Sequence, residues 1–292
     1  MARRLIINAD DFGMTRGVNR AVTEAHLAGI VTSATIMANE AAVDDAIALA
    51  FQNPSLGTGC HVVLVDGSPL SQPDTVRSLI GSRNGAGAQF RLGVAHLAIA
   101  TLSAKVSSSE VHDEAAAQIE RLQSRDLSLS HVDCHMHSHI LPVVLRAVLA
   151  AAREHGIRAI RNPFEPGWAV AATHKSSSLR SWNRSAQVTL LRGLRSQFLA
   201  NVQRHGIKTT GGTIGIAVTG LLDRSLLTHL VEAMPDGTWE LVTHPGYNDR
   251  DLSQATTELK QSRAVELELL TSPATLNLFR ERDIQLISYR EL

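Results

Sequence analysis

Residues 7–17, INADDFGMTRG, set two aspartates side by side where the apolar run RLIINA gives out. The run reads as a short β-strand, and beyond it the period changes: from about Arg16 to Leu27, Val18, Ala21, Val22 and Ala25 recur at helical spacing. A strand that ends in charge and passes directly into a helix is half of a βαβ unit. The same alternation continues along the chain. Strand-like VTSATIM, LGTGCHVVL, SLSHVDCH, IRAIRNP, GTIGIAV, WELVTHP and IQLISY alternate with helical patterns near 40–52, 109–124, 143–156, 184–205, 223–233, 255–271 and 273–281. This order predicts an α/β fold, a parallel sheet with outer helices, closed or partly closed into an irregular or incomplete TIM-type (βα) barrel. An open doubly wound sheet is the alternative. The chain is expected to be one domain over 1–292, with long loop insertions near 66–107 and 162–183.

Bulk composition narrows the function. In 292 residues, 44% are hydrophobic and Lys+Arg equals Asp+Glu at 28 each, so no global charge draws the chain to nucleic acid. Cys60 and Cys134 are too few for a disulfide framework, and no signal peptide precedes Asn8, so a cytoplasmic location is expected. No stretch is apolar enough to span a bilayer. Between Glu165 and Asp223 there is no acidic residue, while Lys175, Arg180, Arg184, Arg192, Arg195, Arg204 and Lys208 are basic. With Val188, Leu191, Phe198 and Val202 among them, the 175–208 segment is compatible with peripheral contact at the inner face of an anionic membrane. An ordinary core-facing helix with a basic outer side is the plainer explanation.

Asp10, Asp11, His61, His131, Asp133, His135, His137, His139, Arg161 and His244 all fall at or just past the predicted C-terminal ends of strands. In a βα barrel those ends converge on one face, where active sites are built. An extended SHVDCHMHSH would point its alternate residues, His131 to His139, to one side, at roughly 6–7 Å per step, so one metal can use one or two of them. Two histidines and a carboxylate with open positions suit Zn²⁺ and also non-haem Fe²⁺. A cation also answers why Asp10 and Asp11 stand together: one carboxylate can ligate while its neighbour accepts a proton. Cys60 and Cys134 precede histidines in strands and therefore point to the opposite, packing side.

With those residues in place, the chain resembles the YdjC-like carbohydrate deacetylases, the family that includes chitooligosaccharide deacetylase. The resemblance rests on NADDFGMTRGVNRAV, GIVTSATIMAN, GTGCHVVL, HVDCHMHSHILP, ELVTHPG and LELLTSPATLNLFRERDIQLISYREL, almost end to end. Within the family, GIRAIRNP and the segment before ELVTHPGY are similar to the hopanoid-biosynthesis-associated HpnK branch. The resemblance implies Asp11, His61 and His135 as ligands of a divalent metal, Zn²⁺ or Mg²⁺, with Asp10 as catalytic base and His244 as acid. It implies N-deacetylation of an N-acetylglucosamine-type sugar, on a hopanoid glycolipid or a chitooligosaccharide, by a homodimer. Arg161 in RNPF is similar to the arginine that holds the catalytic aspartate in the broader polysaccharide deacetylases. Arg161, His131, Asp133, His137 and Tyr247 are expected to bind substrate or support the site. Cys134 stands where relatives commonly carry serine, and 66–107 and 166–210 match the family poorly. A non-haem iron oxygenase or lyase, and a non-catalytic metal- or sugar-binding protein, use the same ligand set and remain alternatives of another class.

Overall fold

The computed structural model describes residues 2–84, 87–174 and 192–292. Strand β1 (Arg3–Phe12) is the centre of a seven-stranded parallel sheet. Beside it lie β2 (Ser33–Ile36), β3 (Gly57–Val62) and β6 (His131–Cys134) in one direction, and β8 (Gly237–Thr243) and β7 (Thr213–Ile214) in the other. The last strand, β9 (Ile284–Leu286), pairs with Arg3–Leu5 of β1, below the stretch from Asn8 onward that pairs with β2. The sheet curls into a half-barrel surrounded by helices, so the expected incomplete barrel is what forms. Among the described residues, the wall beyond β6 continues only as isolated bridges, Val132 with Ile160 and Ala159 with Lys208. The strand expected at IRAIRNP is reduced to those contacts.

Local sequence sets the helices that close the crossovers. Helix α1 (Arg16–Leu27) starts where the Thr15 hydroxyl accepts the Val18 N–H, and its Val18, Ala21, Val22 and Ala25 are all buried, as their spacing requires. Helix α2 (Val43–Gln52) follows β2, and α4 (Ser108–Gln123) precedes β6. Pro142 opens α5 (Pro142–Glu154), where its missing N–H costs nothing. Toward the C-terminus come α8 (Arg224–Ala233), α9 (Arg250–Gln254), α10 (Gln261–Thr271) and α11 (Pro273–Glu281); the helix expected near 255–271 forms only from Gln261, and α9 is not among the expected helices.

Three expectations need correction. The two long insertions carry structure: the first holds a hairpin, β4 (Ile80–Asn84) with β5 (Gly87–Phe90), then α3 (Gly93–Leu102), and the second holds α6 (Gly167–His174). The histidine row is not extended. Strand β6 ends at Cys134 and a 3₁₀ turn spans His135–Ile140, with Met136 (φ 50°) and His137 (φ 52°) left-handed, so the rings diverge. The basic segment 175–208 is described only from Arg192, where α7 (Arg195–Arg204) turns Phe198 and Val202 into the core. Those two side chains are spent on packing and cannot enter a bilayer; the residues from Lys175 to Leu191 lie outside the described ones.

Candidate metal centre and active site

The site is assembled at the C-terminal ends of β1, β3, β6 and β8. A bulge in β1 decides how its two aspartates point. Ala9 pairs with Ala34 and Phe12 with Ile36, so β1 carries one residue more than β2 over this stretch, and Asp11 takes a left-handed φ of 64°. In a regular strand Asp10 and Asp11 would face opposite sides of the sheet. Here both carboxylates face the same pocket, and both are buried.

Asp11 meets two histidines. Its Oδ1 lies 3.5 Å from His61 Nε2 and 3.4 Å from His135 Nδ1, and the two ring nitrogens are 3.2 Å apart. One ligand atom from each of these residues falls within 4.8 Å of the others. Asp11 Oδ1 is buried and has no hydrogen-bond partner among the described residues, whereas its Oδ2 accepts from Arg263 of α10. A buried orphan carboxylate oxygen facing two imidazole nitrogens is the donor set that a divalent cation requires, so these residues fit a metal. A second cluster, Asp10, His61 and Asp133, meets the same distance criterion. Its two carboxylates are already neutralised by Arg161, which makes the first group the better cradle.

Arg161 is fully buried and held by three acids. It donates to both oxygens of Asp10 at 2.6 Å, to Asp133 at 2.7 Å and, through Nε, to Glu240 at 2.8 Å. Glu240 also accepts from the Tyr289 hydroxyl at 2.5 Å and the Thr213 hydroxyl at 3.0 Å. Burial alone would raise the Asp10 and Asp133 carboxyls, but the guanidinium holds both below the usual range, so both stay ionised. Parallel pairing sets His61 beside Asp133, and their 2.7 Å contact from His61 Nδ1 leaves Nε2 turned toward Asp11. Burial would depress His61, yet Asp133 wins and pushes the imidazole up to about 9; a cation must therefore displace a proton to bind there.

The remaining predicted residues divide. His244 follows β8, and its Nε2 lies 4.0 Å from Asp10 Oδ2. Burial pushes its imidazole down to about 4, and its backbone N–H is held by Glu266 at 2.6 Å. His137 has a buried Nδ1 without a partner and is depressed to about 3, again by burial. His131 does not join the ligand group: it stacks on Tyr289 at 3.7 Å and its Nε2 meets Asn8 Oδ1 at 3.1 Å. Gly59 makes that reach feasible, since a Cβ there would sit 2.6 Å from the His131 ring. His139 contacts the Arg161 carbonyl at 3.2 Å and serves the scaffold. Tyr247 turns away, its hydroxyl donating to Glu24 while Arg20 lies over its ring at 4.0 Å. Cys60 and Cys134 are buried, and desolvation pushes both thiols up, as expected of packing residues.

Sequence reasoning missed Arg263, Glu240, Glu266 and Tyr289. Arg263 and Glu266 sit three apart on α10, a spacing that puts them on one face, but nothing in the sequence ties that face to Asp11. A cavity of about 570 Å³ opens beside the centre, lined by His135 and the polar residues Asn39, Glu40, Asp66, Ser68 and Gln89.

A family model described as YdjC-like protein matches residues 4–281. The chain is 33% identical to a carbohydrate deacetylase of Brevibacillus brevis, over 99% of both chains. It is 32% identical to one of Geobacillus stearothermophilus (100% of this chain, 98% of the relative) and 30% identical to one of Mus musculus (99% and 94%). Among solved structures, a chain of Enterococcus faecalis V583 described as a cellobiose-phosphate cleavage protein superposes with a TM-score of 0.75 at 25% identity, covering 100% of this chain and 99% of its own. With a family model spanning nearly the whole half-barrel and its site, the chain belongs to the YdjC-like protein family.

Proposed function

We propose that this chain is a metal-dependent carbohydrate N-deacetylase that hydrolyses the acetamido group of an N-acetylglucosamine-type sugar. One observation carries the reading: an open His61–His135–Asp11 donor set shares its pocket with a second carboxylate, Asp10, that Arg161 withholds from the ligand group. The names of the full-length relatives support it.

An acetamide resists water because its carbonyl is resonance-stabilised and its amine leaves poorly. Asp11, His61 and His135 would hold a divalent ion, Zn²⁺ or Mg²⁺, which would supply Lewis acidity to a water and to the carbonyl oxygen. Asp10 supplies the base. Its Oδ1 also accepts from Asn8 Nδ2 at 2.9 Å, so the lone pair left for a proton is on Oδ2, and the guanidinium fixes both position and ionisation. His244 is neutral in the free pocket, so it becomes the acid by taking over the proton that Asp10 removes from the attacking water, its Nε2 lying 4.0 Å from Asp10 Oδ2. Asp10 and Asp11 both favour the imidazolium, which can then donate to the departing amine. Arg263 holds Asp11 by Oδ2 and leaves Oδ1 for the cation.

The polar cavity beside His135 suits a polyhydroxylated ligand. We take the acetylated sugar to be borne on a hopanoid glycolipid, a reading supported by the resemblance at GIRAIRNP, with a chitooligosaccharide as the alternative. Acetate release from an N-acetylglucosaminyl hopanoid and from chitobiose, each measured with metal-loaded protein, tests both levels. Release from chitobiose alone overturns the lipid-linked substrate. No release from either, or turnover that consumes O₂, overturns the deacetylase.

A further inference from the structure

Helix α3 (Gly93–Leu102), GVAHLAIATL, contains no charged residue, and a helix apolar on every side is ordinarily buried. Here only part is. Leu97 and Ala100 pack into the core, while Leu92 (68% exposed), Ile99 (63%) and Leu102 (87%) face outward with Ala95 between them. At positions i, i+3, i+7 and i+10 these four form one stripe. A second cavity, of about 470 Å³, adjoins it, lined by Ile80, Phe90, Leu92 and Ile99 together with Arg91 and Lys105. Among the described residues no carboxylate lines that cavity, and the sequence has no acidic residue between Asp74 and Glu110.

The stripe is tied to the catalytic face. Helix α3 packs on the turn His135–Ile140 that bears a proposed metal ligand. The 66–68 loop, which lines the polar cavity, is hydrogen-bonded to the strand leading into α3: Asp66 N–H to the Arg91 carbonyl at 3.1 Å and Phe90 N–H to the Gly67 carbonyl at 2.8 Å. The element that carries the stripe is therefore held by the same turn and loop that wall the site.

We propose that the Leu92–Leu102 face docks on an anionic lipid bilayer. Leucine and isoleucine beside two cations, with the acid at the start of the helix, Asp66, turned back onto the Gly93 N–H at 2.9 Å, is a composition suited to the headgroup region. Anionic headgroups complement Arg91 and Lys105, whereas a second copy would bring more cations and no carboxylate from this cavity's lining. Docking is independent of the deacetylase reading, because vesicle binding is measured without turnover.

The test is co-sedimentation of the full chain with vesicles of phosphatidylcholine alone and of phosphatidylcholine with phosphatidylglycerol. Binding should strongly favour the anionic vesicles and weaken in high salt. Ile99→Asp combined with Leu102→Asp should abolish it, and Lys105→Glu should weaken it about tenfold. All three residues are exposed, and an unchanged far-ultraviolet spectrum confirms folding. Equal binding to both vesicle types, or binding undiminished in Lys105→Glu, overturns the proposal. So does an Ile99→Asp, Leu102→Asp protein that changes from dimer to monomer in sedimentation equilibrium, which would assign the face to a second copy.

Discussion

At the scale of single residues, the site separates two carboxylates that the sequence makes look alike. Asp10 is held by a guanidinium on both oxygens, whereas Asp11 Oδ1 has no hydrogen-bond partner among the described residues and lies between two histidines. The division predicts different failures. Asp10→Asn keeps the ligand set, so metal content should be unchanged while turnover falls by about 10²–10⁴, the usual worth of a positioned base. Asp11→Asn should lose the metal. Elemental analysis beside an acetate assay checks both, and equal metal loss in the two variants would refute separate roles. The residues themselves were legible: Asp10, Asp11, His61, His135 and His244 stood out as polar groups ending predicted strands. Arg263 was not, because a guanidinium on a helix more than 250 positions from Asp11 looks like any solvated surface charge.

At the scale of elements, two local distortions build the site. The β1 bulge turns Asp11 to the same side as Asp10, and the left-handed Met136 and His137 break the histidine row so that its members serve different partners. Periodicity finds strands but does not foresee where one stops alternating, which is why the extended SHVDCHMHSH failed. Helix α10 is the third element: Arg263 holds Asp11 and Glu266 holds the His244 backbone. Replacing Arg263 with Met leaves Asp11 Oδ2 buried without its cation. Loss of one member of a buried pair typically costs about 3–5 kcal/mol, so urea unfolding of metal-free protein should show a fall of that order. Metal should restore part of it, because the ion supplies the missing positive charge; a variant as stable as the parent without metal would show that Arg263 does not neutralise Asp11.

At the scale of the whole molecule, the half-barrel also buries acids away from the candidate metal centre, Glu114 and Glu165 among them. Glu165 accepts the Gly215 and Ala217 N–H groups at 2.8 Å each, yet burial pushes its carboxyl up to about 7. A group whose folded pKa lies above its unfolded value binds more protons when native, so its contribution is fully present below about 4.5 and is lost as pH rises through about 7. The swing is at most about 3 kcal/mol, and Glu165→Gln should flatten the corresponding slope in stability against pH between those limits. A slope unchanged in the variant would place the titration elsewhere.

Sequence alone determined the alternation of strands and helices, and with it the chirality of the crossovers and the face on which polar strand ends gather. Those depend on local period and on steric handedness, both written into neighbouring residues. It also marked the histidines and paired aspartates, since such groups are costly at the end of an apolar strand unless something neutralises them. Tertiary structure decided which charges neutralise which. Arg161 bridges Asp10, Asp133 and Glu240 across three strands, Arg263 arrives from the last helices, and α3 leaves Ile99 and Leu102 uncovered. Pairing energies between buried charges depend on distances of a few ångströms between segments far apart in the chain, and only the folded sheet sets those distances.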